Sequence, residues 1–285
     1  MTHNFLPFTY VFHKKRREVT LNMSIFKDIF HVSPNITYEE LKNQVNAVNS
    51  RLKDDGIEMP NADSLATTRK LYELLGSPLD KIPTIHIGGT NGKGTTAWKI
   101  AKCLQSYNLK TGLFVSPHIV CFRERIQIAN ELITKDDFVK YLSIVMNVCS
   151  DNSIPATLFE LTFPDLVLLV SLLVSLIANA SYSGIVVLEV GLGGRVDATN
   201  VVHTALSVIC SIALDHTRIL GSTVEAIADV KSGIFKSNIP ALVGSHTPIE
   251  LLKTKANEAN APFYTVEGVL QQMLKTDGTG VHKDF

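Results

Sequence analysis

The hydrophobic positions along the chain follow two different periods. Residues 37–53 place apolar side chains at spacings of three and four, which predicts an amphipathic helix. Thr37 and Glu40 form a capping-box pattern at its start. Residues 185–188 are instead an unbroken apolar run, which is typical of a strand that is buried on both faces of a sheet.

Strands and helices alternate along the chain. The predicted strands cover residues 82–87, 113–115, 185–188, 205–212 and 241–243. The predicted helices cover residues 37–53, 64–75, 94–107, 134–149, 165–178 and 224–235. This alternation predicts βαβ units and therefore an α/β fold, in which helices flank a mainly parallel sheet. Ligands bind to such sheets beyond the carboxyl ends of the strands.

Composition and charge exclude several classes of protein. The 285 residues are 45% apolar and 19% charged, which is a globular composition and not that of a disordered chain. Since 27 basic residues balance 27 acidic ones, the chain has no overall basic field, and we expect no nucleic-acid partner. The four cysteines form no C-x-x-C pair, so neither a zinc knuckle nor a disulfide framework is indicated.

The first 22 residues differ from the rest of the chain. Aromatic and apolar residues precede a basic run at 14–17, which is the reverse of the order in a secretory signal. Residues 1–22 are predicted to be an N-terminal extension, with a mitochondrial leader as the alternative. The longest apolar stretch, residues 166–178, is shorter than the roughly 20 residues of a spanning helix. We therefore expect a buried helix, no membrane association, and a cytoplasmic or else mitochondrial location.

A glycine-rich loop follows the first predicted strand and opens a helix. It consists of Gly89, Thr90, Asn91, Gly92, Lys93, Gly94 and Thr95. Glycines let backbone N–H groups converge on one point, and the helix N-terminus and Lys93 add positive charge, so the loop is predicted to bind a triphosphate. The order departs from the standard phosphate-loop string because Gly94 stands between Lys93 and Thr95. A plain β–α turn, the structural alternative, would not require both the glycines and the lysine.

Further candidate ligands lie near the ends of other predicted strands. A parallel sheet would bring Ser116, Glu189 and His216 to the same edge. Ser116 and Glu189 offer the oxygen ligands that Mg²⁺ prefers. His216 and Lys231 suit a second metal, provided that the lysine loses its positive charge. The structural alternatives are a turn cap for Ser116, a salt-bridged carboxylate for Glu189 and a structural role for His216.

Five motifs match one family in order and in approximate spacing. They are the loop at 89–95, Ser-Pro-His at 116–118, Arg-Glu-Arg-Ile at 123–126, Leu-Glu-Val-Gly-Leu-Gly-Gly-Arg-Val-Asp-Ala-Thr-Asn at 188–200, and a segment at 215–236 that begins Asp-His-Thr and ends Lys-Ser-Gly-Ile-Phe-Lys. In these motifs the chain resembles the dihydrofolate synthase and folylpolyglutamate synthase family, which is related to the Mur peptide ligases. The resemblance covers about residues 38–264.

The resemblance implies a chemistry. Members of this family use ATP and Mg²⁺ to join L-glutamate to a pterin-bearing carboxylate through an acyl phosphate. Such an enzyme has small-molecule partners, and we expect it to be a monomer. Residues 89–95 would bind the triphosphate, with Lys93 on its terminal phosphates.

The resemblance also implies roles for individual residues. Ser116 and Glu189 resemble the ligands of a first Mg²⁺, and His216 resembles a ligand of a second. Lys231 resembles the lysine that is carbamylated in the family and so becomes a metal ligand. Together with Lys93, His216 and Lys231 are the implied catalytic residues. The implied substrate-binding residues are Asp197, Ala198 and Arg125.

Two departures from the family pattern bear on function. Thr95 stands where serine is commoner, which keeps the hydroxyl. Complete members continue into a C-terminal domain that nothing in this sequence resembles. We therefore predict an ATP-binding ligase domain at 23–265 and a divergent tail at 266–285.

Motif details also bear on the choice of enzyme. Asn91 and the string at 193–200 are closer to the dihydrofolate synthase or bifunctional type than to the type that mainly lengthens the glutamate tail. The alternative hypothesis is a truncated, non-catalytic ATP-binding remnant of such a ligase.

Overall fold

The computed structural model describes residues 36–43, 62–150 and 184–276. The helices are α1 (residues 38–43), α2 (Ala62–Leu74), α3 (Lys93–Ser106), α4 (Lys135–Ser150), α5 (Thr217–Leu220), α6 (Val224–Ser232), α7 (Ile249–Glu258) and α8 (Val266–Thr276). The strands are β1 (Thr84–Gly88), β2 (Thr111–Phe114), β3 (Ile126–Ile128), β4 (Glu131–Leu132), β5 (Ile185–Glu189), β6 (Leu206–Ser211), β7 (Ala241–His246) and β8 (Phe263–Thr265). Short 3-10 helices cover Pro78–Lys81, Phe122–Arg125 and Ala198–Val201.

One eight-stranded sheet organises these elements. Its strand order is β4-β3-β2-β5-β1-β6-β7-β8. The strands from β2 to β8 in this order pair in parallel, whereas β3 pairs antiparallel with both β2 and β4. The predicted α/β class with a mainly parallel sheet is confirmed.

Strand β1 lies at the point where the strand order reverses. It pairs with β5 on one side and β6 on the other. The chain continues from β1 towards β2, and from β6 in the opposite direction towards β7. The carboxyl end of β1 therefore opens where ligands bind in sheets of this kind.

Hydrophobic packing covers both faces of the sheet at β5. Val187 packs in one buried cluster with Ala97 and Ala101 of α3. Val186 and Leu188 belong to a second cluster, which also contains buried residues of α2 and α4. Because successive side chains of a strand point to opposite faces, these clusters lie on opposite sides of β5. The unbroken apolar run at 185–188 is explained by this two-sided burial.

Capping boxes begin two of the helices, and the sequence pattern predicts the one at Thr37. The Thr134 hydroxyl donates to Asp137 Oδ2 at 2.8 Å and accepts from the Asp137 N–H at 3.0 Å, at the start of α4. The Thr37 hydroxyl donates to Glu40 Oε2 at 2.7 Å, and the Glu40 N–H donates back to it at 3.3 Å, at the start of α1. Each box satisfies N–H groups that a helix start leaves unpaired. The remainder of the predicted helix at 37–53 lies outside the described residues.

The predicted elements that fall on described residues are present, with ends shifted by a few residues. The predicted helix at 165–178 and the extension at 1–22 lie outside the described residues. The hydrophobic pattern does not predict β3, β4, α5, α7, β8 or α8. Strands of two or three residues are too short to show a period, and exposed residues weaken the pattern of the helices.

The start of the predicted tail is helical. Residues 266–276 form α8, which contacts β7 and β8. Helix α8 therefore packs on the same sheet as the residues before it, and a domain boundary at residue 265 stays a prediction. No helix among the described residues is both long enough and apolar enough to cross a membrane.

Helix α7 should contribute to stability although the sequence pattern does not predict it. Leu252 of α7 is fully buried against the β6 and β7 side of the core. Leu252→Ala should lower the free energy of unfolding by about 2–5 kcal/mol, because the change removes buried methyl groups and leaves a cavity. Leu214→Ala, at a side chain that is 59% exposed, is the matched control. Equal denaturant midpoints for the two variants would contradict this packing.

Candidate active site

The glycine-rich loop turns sharply between β1 and α3. Gly89 and Gly92 have φ values of 138° and 80°, a region of backbone conformation that favours glycine. A Cβ atom on Gly89 would also lie 3.1 Å from the Ser211 backbone nitrogen. Gly89 is therefore favoured both by the turn and by the close approach of β6, and Gly92 by the turn alone.

The loop is attached to the end of β6. The Thr90 N–H donates to the Ser211 carbonyl at 2.8 Å. The Asn91 N–H donates to the Ser211 hydroxyl at 3.0 Å. The same hydroxyl donates to the Asn91 carbonyl at 3.1 Å. The Thr90 hydroxyl pairs with the backbone of Ala213 in the same way, at 3.1 and 3.2 Å. These contacts between the loop and the strand end hold the shape of the loop.

Two lysines lie at this loop. Lys93 is the first residue of α3, and its ammonium group donates to the Thr90 carbonyl at 3.2 Å. Lys231, at the end of α6, is 3% exposed and donates to the Gly89 carbonyl at 2.9 Å. Burial, with a smaller contribution from the charge of Lys93, lowers the pKa of Lys231 to about 8. The loop thus has positive charge on two sides, as an anion site requires.

Glu189 ends β5 beside the start of α3. Its Oε2 accepts the Ser116 N–H at 2.8 Å, and the Gly94 N–H also donates to the carboxylate. A Cβ atom on Gly94 would lie 3.1 and 3.3 Å from the two carboxylate oxygens. A side chain at this position would require the Glu189 carboxylate to move by a few tenths of an ångström, so Gly94 has a structural reason for standing between Lys93 and Thr95.

The Glu189 carboxylate is suited to a cation. It is 4% exposed, and burial raises its pKa, while the Ser116 N–H and Lys93 oppose that rise. Among the described residues, no lysine or arginine forms an ion pair with it. A buried carboxylate that is hydrogen-bonded but not ion-paired is the donor that Mg²⁺ prefers. Ser116 and Glu189 are brought together as predicted, and their role as metal ligands stays a prediction.

The residues predicted for a second metal are differently placed. His216 is about half exposed at the start of α5, and its Nε2 lies 3.7 Å from Asp215 Oδ2. The uncarbamylated Lys231 donates a hydrogen bond, so it offers no lone pair to a metal in this form. No group of three or more His, Cys, Asp or Glu in the described ranges is arranged to hold a metal ion. A second metal would therefore need oxygens from a ligand or from a carbamylated Lys231.

An open groove runs from Glu189 along the loop that follows β2. It has a volume of about 380 Å³. Its lining residues are Gly94, Thr95, Trp98, Val115, Ser116, Pro117, Ile119, Glu124, Gln127 and Glu189. Trp98 is 47% exposed and Ile119 is 91% exposed. The groove therefore has a polar end at Glu189 and apolar side chains farther out, a combination that is common in small-molecule sites.

Glu124 shapes one wall of this groove. Its carboxylate accepts three consecutive backbone N–H groups, from Ile119 at 2.8 Å, Val120 at 2.9 Å and Cys121 at 2.6 Å. These hydrogen bonds hold the pKa of Glu124 below its usual range. The Arg-Glu-Arg-Ile motif pointed to this segment but assigned no role to its glutamate. The Cys-x-x-Glu capping-box spacing is the signal that could have found it.

Arg125 lies beside the same site. Its Nε donates to His118 Nδ1 at 2.9 Å, and its guanidinium stacks over the Phe122 ring at 5.2 Å. Burial lowers the pKa of Arg125, and the charge of Glu189 opposes that shift. Arg125 is thus close enough to Glu189 to feel its field. Its predicted contact with substrate stays a prediction.

Asp197 and Ala198 lie behind the loop that follows Glu189. Both are buried. The Asp197 carboxylate accepts N–H groups from Leu192 at 2.9 Å and from Thr199 at 3.0 Å. Asp197 therefore caps the short helix Ala198–Val201 and shapes residues 191–197. The predicted role of Asp197 and Ala198 in substrate binding stays a prediction beside this structural one.

Asn200 and Lys236 fasten the same loop to the end of α6. The Asn200 side-chain amide donates to the carbonyls of Arg195 and Gly233, each at 3.0 Å. The Lys236 ammonium donates to Asn200 Oδ1 at 2.6 Å. Since α6 carries Lys231 and the loop follows Glu189, these bonds tie together the two segments that bring charge to the site.

The fold and the site define a class of protein. A parallel α/β sheet presents a glycine-rich loop with two lysines and a buried carboxylate at one carboxyl edge, which is the architecture of a phosphate-binding α/β domain. This arrangement agrees with the predicted position of the site.

Comparisons with known proteins identify the family. The chain is 36% identical over 217 residues to a probable dihydrofolate synthetase of Schizosaccharomyces pombe, a match that covers 74% of this chain and 50% of the relative. It is 36% identical over 191 residues to the mitochondrial folylpolyglutamate synthase of Bos taurus, covering 65% and 32%. A bifunctional folylpolyglutamate synthase/dihydrofolate synthase from Yersinia pestis, complexed with AMPPNP and Mn, superposes with a TM-score of 0.66 at 29% identity, covering 81% and 52%. No family model matches the chain.

The chain belongs to the dihydrofolate synthase and folylpolyglutamate synthase family, and the predicted resemblance is confirmed. It spans half or less of the length of these two curated relatives.

Lys236 gives the stability of the protein a pH dependence. Burial lowers its pKa to about 8 from the usual 10.5, and Arg69 adds to this shift. Unfolding therefore takes up a proton between pH 8 and 10.5. The cost of burying the charged Lys236 lowers the free energy of unfolding fully below pH 8, and this cost is lost as the pH rises towards 10.5. The free energy of unfolding of the wild type should rise with pH across this window more steeply than that of Lys236→Met.

Denaturant unfolding at several pH values measures the two slopes. Lys253→Met, which removes a charge from an exposed position, is the control and should keep the wild-type slope. Parallel curves for wild type and Lys236→Met would contradict the depressed pKa.

Proposed function

We propose that the loop at 89–95 binds the triphosphate of ATP. The observation that carries this proposal is the convergence of Lys93, Lys231 and the start of α3 on one glycine-rich turn. Backbone N–H groups of a helix start and two ammonium groups supply donors and positive charge for a phosphate chain. The similar Yersinia pestis enzyme binds the nucleotide analogue AMPPNP, which supports the same assignment.

We propose that Ser116 and Glu189 hold Mg²⁺ at this site. The ion would neutralise phosphate charge and polarise the transferred phosphoryl group. Glu189 supplies an anionic oxygen, and its hydrogen bonds from Ser116 and Gly94 fix the carboxylate orientation. His216 and a carbamylated Lys231 are proposed as ligands of a second ion. Asp215, the neighbour of His216 in the sequence, is near enough to Lys231 for their charges to interact.

We propose that the chain carries the nucleotide-binding part of a ligase that joins L-glutamate to a pterin-bearing acid. A carboxylate oxygen of the acceptor attacks the terminal phosphorus of ATP and displaces ADP, which gives an acyl phosphate. The glutamate amine then attacks the acyl carbon, and the amide forms as inorganic phosphate and a proton are released. Two anions must meet in this reaction, so positive charge has to dominate the site. Lys93 supplies that charge together with either the Lys231 ammonium or, where Lys231 is carbamylated and therefore anionic, the metal ion that it would hold. The groove from Glu189 to Trp98 suits the acceptor, with Arg125 beside it.

We propose dihydropteroate as the preferred acceptor, with folates as further substrates. Asn91 and the string at 193–200 are closer to the dihydrofolate synthase or bifunctional pattern. Asp197 and Ala198 would lie at the pterin-binding end. The relatives include both a dihydrofolate synthetase and a folylpolyglutamate synthase, so the choice rests on a direct assay.

A second candidate function is a non-catalytic ATP-binding remnant. The observation that favours it is that the described residues of the site are assigned to phosphate, metal and acceptor, and none of them is assigned to glutamate. In a ligase, a closing surface excludes water from the acyl phosphate and orients the amine. A chain without that surface would bind nucleotide and fail in the transfer.

The remaining proposals concern context. We propose a monomer that acts on small molecules, located in the cytoplasm, or in mitochondria if residues 1–22 are a leader. The Bos taurus relative is a mitochondrial enzyme, which motivates the second possibility. Residues 23–265 are proposed as the ligase domain.

The phosphate-loop proposal predicts the effect of one substitution. Lys93→Ala should reduce the affinity for AMPPNP with Mg²⁺ by at least about 100-fold, because it removes a charged hydrogen bond to phosphate. Isothermal calorimetry measures the affinity directly. Lys99→Ala, at an exposed lysine of the same helix, is the matched control and should bind as the wild type does. Equal affinities of the two variants for AMPPNP would contradict the proposal.

The two candidate functions differ in whether the chain forms the glutamate amide. We expect the 285-residue chain on its own to release phosphate from ATP slowly, with dihydropteroate present, and to incorporate little radiolabelled glutamate. Water should intercept the acyl phosphate before the amine does. Phosphate release should disappear in Lys93→Ala. Amide formation at the rate of a complete ligase would exclude the remnant hypothesis.

A further inference from the structure

His86 is a buried imidazole that the proposed chemistry does not use. It lies on β1, aligned with Leu188 of β5 and Ser207 of β6, and is 0% exposed. Its Nε2 lies 2.6 Å from the Thr199 hydroxyl. Its Nδ1 has no hydrogen-bond partner among the described residues. A buried polar atom without a partner is uncommon and calls for an explanation.

The Thr199 hydroxyl connects His86 to Asp197. It donates to Asp197 Oδ1 and is also within hydrogen-bond distance of His86 Nε2. A threonine hydroxyl has one proton and an ionised carboxylate can only accept. The proton is therefore committed to Asp197, and the hydroxyl oxygen has to accept from a proton on His86 Nε2.

This arrangement fixes the tautomer of His86. With its proton on Nε2, the neutral ring has a bare Nδ1, which accounts for the atom without a partner. Burial lowers the pKa of His86 to about 3, and the positive charge of Lys236 adds to the shift. Asp197 is two hydrogen bonds away, through Thr199. The ring is therefore neutral and acts as a donor.

Asp197 carries the connection to the active-site edge. Its carboxylate accepts the Leu192 N–H at 2.9 Å and the Thr199 N–H at 3.0 Å, and the Gly191 N–H also donates to it. Gly191 and Leu192 follow Glu189 by two and three residues. A line of hydrogen bonds thus runs from the centre of β1 to the turn behind the Glu189 carboxylate.

We propose that His86 is a positioning residue whose Nε2–H sets the direction of the Thr199 hydroxyl and so keeps Asp197 an acceptor for the turn at 191–192. Hydrogen bonds in such a line polarise one another and strengthen. The reverse arrangement would need a protonated Asp197, which would lose an acceptor position on an oxygen that N–H groups already occupy. It would also leave a buried N–H on Nδ1 without a partner.

A pair of substitutions tests the donor role. The side-chain amide nitrogen of His86→Gln reaches about as far as Nε2, whereas that of His86→Asn reaches only as far as Nδ1. Hydrogen exchange at the Leu192 amide should be about 10- to 100-fold faster in His86→Asn, which loses a buried hydrogen bond to a charged network. His86→Gln should stay within about threefold of the wild type, since it keeps the donor. Equal acceleration in both variants would overturn the proposal.

The Thr199 position gives an independent test if His86→Asn does not fold. Thr199→Val keeps the shape and removes the hydroxyl, so it should accelerate exchange at the Leu192 amide as His86→Asn does. Thr199→Ser keeps the hydroxyl and should not. Equal exchange rates in these two variants would contradict a role for the hydroxyl.

Histidine ¹⁵N chemical shifts report the tautomer directly. The wild-type chain should show His86 as a neutral ring with its proton on Nε2 near pH 7. A proton on Nδ1, or a charged ring, would overturn the proposal whatever the exchange rates are.

The effect on ligand binding rests on the proposed nucleotide site. His86→Asn should bind AMPPNP with Mg²⁺ more weakly than His86→Gln, by about 10-fold, which is the usual scale for residues that orient a ligand through another group. If the wild type binds no nucleotide, the proposed function fails while the exchange and tautomer results still decide the role of His86. If the wild type binds and the two variants bind equally, the positioning role fails.

Discussion

The protein buries a carboxylate and an ammonium group at the same edge of a sheet without pairing them. Glu189 is held by N–H groups of Ser116 and Gly94, and Lys231 by the carbonyl of Gly89. Taking a charge out of water is costly unless other groups replace the solvent. Backbone dipoles do so here, and each charge keeps its capacity to interact with a charged ligand. The turn at 89–95, the loop after β5 and the end of α6 are arranged around this constraint.

These three segments are joined by polar bonds and not by apolar packing alone. Ser211 and Ala213 of the β6 end hold the glycine-rich loop, and Asn200 joins the loop after β5 to the end of α6. Hydrogen bonds are directional, so they fix the orientation of a turn better than apolar contacts do. The edge of the sheet is therefore pre-organised before a ligand arrives, which lowers the ordering cost of binding.

The sequence predicts the sheet, and the edge of it where the candidate site residues meet, because both depend on strong local signals. The run at 185–188 is unbroken and apolar, and Gly89 and Gly92 mark the turn at the end of β1. It does not predict the β3–β4 hairpin, whose strands are too short for a period. His86 and Glu124 are also missed. The contact of His86 is with Thr199, which is 113 residues away, and the contacts of Glu124 are with three backbone N–H groups. Such roles come from tertiary contacts and leave no spacing pattern in the chain.

Gly94, which carries a hydrogen atom in place of a side chain, lets the start of α3 come close to the end of β5. The helix start and the strand end approach until a Cβ atom would meet both oxygens of Glu189 at 3.1 and 3.3 Å. The glycine that interrupts the standard phosphate-loop sequence thus leaves room for the carboxylate of Glu189, 95 positions later in the chain. A side chain at position 94 would therefore push the Glu189 carboxylate away from the N–H groups of Ser116 and Gly94 that orient it.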